Sequence, residues 1–341
     1  VSEKTVTFKR LDNHRDRAAK IPFNLETGKC VVFCDAHKWD RSKVDFFKYN
    51  EQLYYRLLDY YYELKFILIL NGDIEEGMGS TLKEVTNKYP KTFEKEKKFV
   101  NRGDYYRVYG NHDHDWKDEQ VRIKYLEPKL GSIDVYPALK IGEKILILHG
   151  HEGDLMADEI RHFTQILLRI FKETWETLTR KSQRVAKNYK RRKKREQYLY
   201  EWSKKNDILL IAGHTHRPMF ESSSVYAKLN EYKDDLMKKF RVSKDSGKVR
   251  VSKQLETVED NIKRLKILFP KDTEIKNRDK SLYFNAGSCL FGEGSEDDKK
   301  GEITCIEIDG GKIKLVKWEL SNGNLIRGWD NLSRDIKDLI G

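Results

Sequence analysis

The sequence predicts an α/β fold, and three observations predict it. Five short apolar runs, CVVFC at 30 to 34, FILIL at 66 to 70, YYRVY at 105 to 109, KILIL at 144 to 148 and ILLIA at 208 to 212, have the length and the β-branched or aromatic content of buried strands. Between the first two lies Val44 to Leu64, where Phe46, Phe47, Leu53, Tyr54, Leu57, Leu58 and Tyr61 keep close to helical spacing. Strand, helix, strand is the order expected of an α/β chain. Further on, ITCIEID and KIKLVKWEL flank Gly310 and Gly311, a two-residue glycine linker that predicts a tight β-hairpin and a further sheet region.

Two segments interrupt this plan. From Leu155 to about Lys205, Ile160, Phe163, Leu167, Ile170, Phe171 and Leu178 keep i, i+3, i+4 spacing before giving way to KNYKRRKKR at 187 to 195, which reads as a helical hairpin with an apolar stripe and a basic arm. A second polar, Lys-rich stretch of expected helices runs from Ser222 to about Lys280. The expected organisation is a core in three pieces, 1–154, 207–221 and 281–341, interrupted by a basic helical cap at 155–206 and a second helical insertion at 222–280.

Composition narrows the classes. At 341 residues the chain can bury a large core, and with 36% charged against 38% hydrophobic residues its apolar side chains must be concentrated in the few runs just named. No apolar run reaches the roughly 18 residues that span a bilayer, and VSEKTVTFKRLDNHRDRAAK lacks the apolar stretch of a secretory leader. A cytoplasmic protein without a transmembrane segment is expected, with peripheral contact to an anionic membrane left open. Cys30, Cys34, Cys289 and Cys305 are scattered and lack C-x-x-C spacing, so they read as reduced packing residues. Of the net charge of +12, the stretch from Arg161 to Lys205 alone carries +11, with 15 Lys or Arg against 4 Asp or Glu. Such a segment suits an anionic partner, whether nucleic acid, a phospholipid surface or a phosphorylated substrate.

Each of the five apolar runs leads directly into metal-binding residue types: Asp35-Ala36-His37, Asn71-Gly72-Asp73, Gly110-Asn111-His112-Asp113, His149-Gly150-His151, and Gly213-His214-Thr215-His216. Ligand sites of α/β sheets lie at the carboxyl ends of the strands, so these segments should converge. Carboxylate and amide oxygens mixed with imidazoles, and no thiolates, suit a two-metal centre of manganese first, with iron or zinc as alternatives. In Asp35-Ala36-His37 and His214-Thr215-His216, residues i and i+2 of an extended chain point to one side and can serve one cluster. In the HGH piece either imidazole could ligate; His149 abuts the strand and is preferred, leaving His151 as a substrate contact or supporting donor. His14 reads as a surface residue.

The pieces DAH, GD, GNHD, HGH and GHTH, in this order, resemble the calcineurin-like metallophosphoesterase signature over about Cys30 to Cys289 apart from the two insertions. The resemblance implies a β-sandwich flanked by helices. It implies that Asp35, His37 and His216 hold one metal, that Asn111, His149 and His214 hold the other, and that Asp73 bridges both. His112 would be the proton donor to the leaving group, with Glu76 orienting its ring. The chemistry expected of two such ions is in-line attack of a bridging hydroxide on a phosphodiester, pyrophosphate or phosphomonoester.

The GHTHRP, HGHEGD and FNAGSC stretches resemble the UDP-2,3-diacylglucosamine pyrophosphohydrolase branch, in which a helical cap grips an amphipathic substrate. Lys190, Arg191 and Arg192, for the charge of their run and its place in the insertion after the His149 motif, and His151 are candidate substrate contacts. A nuclease working through the basic insertion is the alternative enzyme, and a protein-binding scaffold on the same fold is the alternative without catalysis.

Overall fold

The computed structural model of the chain describes residues 1–43, 45–78, 80–153, 189–271, 274–275, 279–290 and 301–341. In chain order the strands are β1 (Ala19–Lys20), β2 (Lys29–Phe33), β3 (Ile67–Asn71), β4 (Tyr105–Val108), β5 (Ala138–Ile141), β6 (Ile145–Leu148) and β7 (Leu209–Ala212). They continue with β8 (Met219–Phe220), β9 (Ser223–Ser224), β10 (Tyr283–Asn285), β11 (Glu302–Asp309), β12 (Lys312–Ser321), β13 (Asn324–Gly328) and β14 (Ser333–Asp335). The helices are α1 (Glu3–Asp16), α2 (Phe47–Glu63), α3 (Leu82–Lys88), α4 (Pro90–Arg102), α5 (Glu119–Tyr125), α6 (Glu127–Leu130), α7 (Tyr189–Asn206), α8 (Val225–Val242), α9 (Asp245–Leu268) and α10 (Lys337–Ile340).

All five apolar runs are strands, in two sheets. One sheet has the order β13-β12-β11-β2-β3-β4, with β14 on β12, and the other β1-β5-β6-β7-β10-β8-β9. Within them β2, β3 and β4 run parallel, as do β6, β7 and β10. The Gly310-Gly311 hairpin joins β11 to β12, both glycines at positive φ.

The two-residue period of the strands decides the layering. Cys30 and Val32 of β2, with Ile145 and Ile147 of β6 and Leu209 and Ile211 of β7, belong to one core between the sheets. The alternate residues Val31 and Phe33 face the other way, into a cluster with Leu53, Tyr54, Leu57 and Tyr61 of α2 and Phe99 of α4. On the far side of the second sheet, Leu146, Leu148 and Leu210 pack with Leu11 of α1 and Leu199, Tyr200 and Trp202 of α7. The result is a β-sandwich with helices on both outer faces. α8 and α9 pack on each other and bury Leu229, Leu236, Val258, Ile262 and Leu265 in the central core.

The apolar stripe expected over Ile160 to Leu178 lies outside the described residues. The basic run at its end enters α7, and it is not an arm that faces outward all round. Helical periodicity turns Arg192, Arg195, Glu196, Leu199 and Tyr200 onto one buried face. Arg195 Nη1 donates to the Glu152 carbonyl, and the Arg192 guanidinium lies over the Phe269 ring at 5.1 Å from its centroid. Two of the cations in this run therefore do structural work. Lys190 and Arg191 are exposed.

A second set of charges is buried between the sheet and α4. Lys38 Nζ lies 3.1 Å from Glu75 Oε1 and 3.0 Å from Glu96 Oε1, and Arg107 pairs with Glu75, all four side chains fully buried. Trp116 Nε1 donates to Glu75 at 2.9 Å and Tyr105 to Glu96 at 3.2 Å. Burial alone would raise the Glu75 carboxyl, but Arg107 and Lys38 hold it below its ordinary range. Removing one member leaves an uncompensated charge in the interior. Arg107→Met is therefore expected to lower the unfolding free energy by about 3–5 kcal/mol in denaturant titration; a loss below about 1 kcal/mol would show the network to be energetically slack.

Candidate metal centre

Parallel strands end on the same side, so the loops after β2, β3 and β4 lie together, as do those after β6 and β7. Hydrogen bonds between the two groups then stitch the sheets at that rim. Asn71 Nδ2 donates to the Leu148 carbonyl at 2.9 Å, and the His214 N–H donates to Asp35 Oδ2 at 2.9 Å. The five sequence pieces are thus brought into one place by the strand ends of both sheets.

The backbone is strained at just these residues. Asp35, His37, Asp73, His214 and His216 all adopt left-handed φ, between 44° and 66°, a region costly for residues with a Cβ and commonest at functional sites. Gly110 shows why the loops also need glycine: a Cβ there would lie 2.1 Å from Asp73 Oδ1.

Three groups of donor atoms result, each within 4.8 Å: Asp35, His37 and His216; Asp73, His149 and His214; and His37, Glu76 and His112. In the first, the Nε2 atoms of His37 and His216 are 3.1 Å apart and lie 3.8 Å and 3.2 Å from Asp35 Oδ1. Asp73, a member of the second group, also reaches toward the first. Its Oδ1 accepts from the His112 N–H at 2.8 Å, leaving Oδ2 3.8 Å from His37 Nε2 and 3.1 Å from His149 Nε2. The His149 Nδ1 proton goes to the Asn71 carbonyl at 2.9 Å, so Nε2, facing Asp73, is the nitrogen left to ligate once it gives up its proton.

Several of these atoms are buried without a hydrogen-bond partner: Asp35 Oδ1, Asn111 Oδ1 and His149 Nε2. Unsatisfied buried polar atoms are costly, and two of these residues, Asp35 and His149, belong to the donor groups just described. Hard oxygens mixed with imidazole nitrogens fit divalent manganese, iron or zinc. The residues therefore fit the metals expected of them.

Electrostatics lead to the same conclusion. Burial would lower the His149 imidazole, but Asp73 and Asp35 raise it to about 10. Burial would raise Asp73, yet His149 and His112 hold it well below the carboxylate range. The site favours positive charge between its carboxylates, supplied by protons or by metal ions. His112 is raised against burial by Glu76 and Asp73, its Nδ1 standing 2.7 Å from Glu76 Oε2 with the side chain 25% exposed. The same Glu76 oxygen bonds His37 Nδ1 at 3.1 Å, a second partner that the sequence did not disclose.

His151 is buried beside His149 and His214, ring centroids 5.5 and 6.4 Å away, but outside the three groups. Sequence reasoning missed what stands behind it. His14 is not a surface residue: it pairs through Nδ1 with the buried Glu152 at 3.1 Å, because α1 folds back onto the His149 loop. It missed, too, the bidentate pair of Arg217 and Glu196, which ties the GHTH loop to α7. The GHTHRP and HGHEGD stretches contained Arg217 and Glu152, but nothing local told their partners.

The model of the calcineurin-like phosphoesterase family matches residues 29–218, more than half of the chain. This protein belongs to the calcineurin-like phosphoesterase family. No curated protein matches the chain. Among solved structures it is similar to vacuolar protein sorting 29 from Cryptosporidium parvum, at 14% identity and a TM-score of 0.34, covering 88% of this chain and 95% of that one. A single mutant of Vps29 from Entamoeba histolytica is similar at 13% identity and a TM-score of 0.34, covering 88% and 97%. Among the described residues, no helix is long and apolar enough to cross a membrane.

The raised imidazoles have a measurable consequence. Protonated His149 stabilises the metal-free fold fully below its ordinary pKa of 6.5, and this contribution is lost as pH rises through about 10. Chelator-treated protein should therefore lose Tm between pH 7 and 10. Metal affinity should rise over the same interval, because protons must leave before ions bind. A Tm of the metal-free protein that climbs over this range would contradict the assignment.

Proposed function

We propose that this protein is a metal-dependent phosphoester hydrolase with two divalent ions, manganese first, at this centre. Asp35, His37 and His216 hold one ion, Asn111, His149 and His214 the other, and Asp73 bridges them. The observation that carries the reading is the convergence of carboxylate and imidazole donor atoms from five strand ends, several of them buried without a hydrogen-bond partner. Two cations held there supply Lewis acidity and lower the pKa of water.

The chain's own residues do the rest. Asp73 is held by the His112 N–H so that one oxygen remains for both ions. Glu76 lies at His112 Nδ1 and favours the protonated ring, leaving Nε2 to deliver a proton to the departing oxygen. The substrate is a phosphodiester, pyrophosphate or phosphomonoester, with His151 and the exposed Lys190 and Arg191 at its periphery. A nuclease is the narrower alternative, supported by those exposed cations. Against a scaffold without catalysis stands the filling of every ligand position by a residue able to ligate.

His112→Asn should keep the metals and slow turnover on the order of 10²–10⁴-fold for esters with basic leaving groups, but far less for an activated aryl ester. Kinetics on such a pair, with bound metal measured in parallel, provides the test. Equal losses on both esters would remove the proton-donor role, and loss of metal would make His112 a ligand.

A further inference from the structure

The hairpin of α8 and α9 is anchored at its base and exposed at its tip. Leu229 and Leu236 of α8, with Val258, Ile262 and Leu265 of α9, sit in the central core. From 237 to 250 no side chain is buried, although α8 continues to Val242 and α9 resumes at Asp245. The turn between them is closed by its own bonds: the Ser243 hydroxyl donates to the Lys239 carbonyl at 2.8 Å and the Lys248 N–H to the Lys244 carbonyl at 2.9 Å. A Cβ on Gly247 would lie 3.2 Å from the Ser243 Cβ, so the two helix ends are in close approach.

Two properties coincide at this tip. The first is apolar exposure: Val242 is 84% exposed, Val249 61% and Met237 41%. A β-branched valine is no favoured helix former, and these two bury little, so neither local structure nor packing accounts for them. The second is charge, with six Lys or Arg against one Asp over residues 237–250. Lys238 pairs with Asp235 at 3.0 Å, and Lys248 lies over the Phe240 ring at 6.0 Å from its centroid. Lys239, Arg241, Lys244 and Arg250 are exposed and have no carboxylate within ion-pair distance among the described residues.

We propose that this tip is a docking surface for an anionic phospholipid bilayer: Val242, Val249 and Met237 enter the boundary between headgroups and acyl chains, and the surrounding cations meet the headgroup phosphates. Exposed apolar side chains interleaved with Lys and Arg are complementary to that boundary, where apolar burial and attraction to anionic lipid add together. Nucleic acid is the poorer match. Aliphatic side chains offer nothing to a phosphate backbone, and the one aromatic ring from 237 to 250, Phe240, is half-buried rather than presented for stacking on a base.

The test mixes the full chain with vesicles of phosphatidylcholine alone or of equimolar phosphatidylcholine and phosphatidylglycerol, and reads the bound fraction by flotation. Partition into the anionic vesicles should be at least about tenfold the greater, and should fall as salt rises from about 50 to about 300 mM. Val242→Ser combined with Val249→Ser should lower it roughly fivefold or more. Lys239→Gln, Arg241→Gln, Lys244→Gln and Arg250→Gln together should abolish the preference for anionic vesicles. All these positions are exposed, and thermal melts of both variants should match the unaltered protein. Equal partition into the two vesicles, or a preference that survives either set of substitutions, would overturn the proposal. A duplex DNA oligonucleotide titrated in parallel covers the other polyanion: salt-sensitive binding to it without preference for anionic vesicles would also overturn the bilayer, in favour of nucleic acid. None of these measurements involves turnover, so the proposal is tested apart from the hydrolase reading.

Discussion

The arrangement of this molecule turns on the Asp73 carboxylate. It sits just past the end of β3 in left-handed backbone, one oxygen fixed by the His112 N–H and the other directed between His37 and His149. Asp35, Asp73 and Glu76 are all buried within reach of His37, His112, His149 and His216. So many carboxylates cannot stay ionised in a dry space without positive charge between them. Protons on the imidazoles can supply it, and so can divalent cations, which also use the lone pairs that hydrogen bonding leaves unused.

The surrounding structure is organised to hold that carboxylate still. Asp113 accepts from the Gly110 N–H at 2.6 Å and from the Ile74 N–H at 2.8 Å, joining the loop after β4 to the loop after β3. Arg107, 3.8 Å from Asp113, connects this junction to the buried pairs of Glu75 and Lys38. On the other sheet, Arg217 and Glu196 anchor the GHTH loop to α7. The left-handed backbone of five site residues persists because fixed partners on both sheets over-determine it. The centre is therefore rigid from two sides, which suits chemistry that depends on placement.

Much of this could be read from the chain. The strands around Val32, Ile69, Ile147 and Ile211 announced themselves because both faces of each are buried, which yields unbroken apolar runs. The five donor segments were legible because each follows such a run directly, and Gly310-Gly311 marked its hairpin. What escaped notice depends on contacts between distant residues. Lys38 and Arg107 resemble ordinary surface charges until Glu75 and Glu96 are seen opposite them. His14 looks solvated until α1 is folded onto Glu152, 138 residues away. The basic run at 187 to 195 showed its charge but not its inward face, because its buried side combines Arg192, Arg195 and Glu196 with apolar residues and hides the usual amphipathic pattern.

The central claim is that Asp73 lets two cations share one buried space, and metal content tests it most directly. Purified protein, stripped and then reloaded with manganese, would be assayed by elemental analysis beside Asp73→Asn, with circular dichroism to show that both are folded. About two ions per chain are expected in the unaltered protein, one for the group of Asp35, His37 and His216 and one for the group of Asp73, His149 and His214, and at most one, weakly held, in the folded variant. Two tightly bound ions in Asp73→Asn, or none in the unaltered protein, would contradict it.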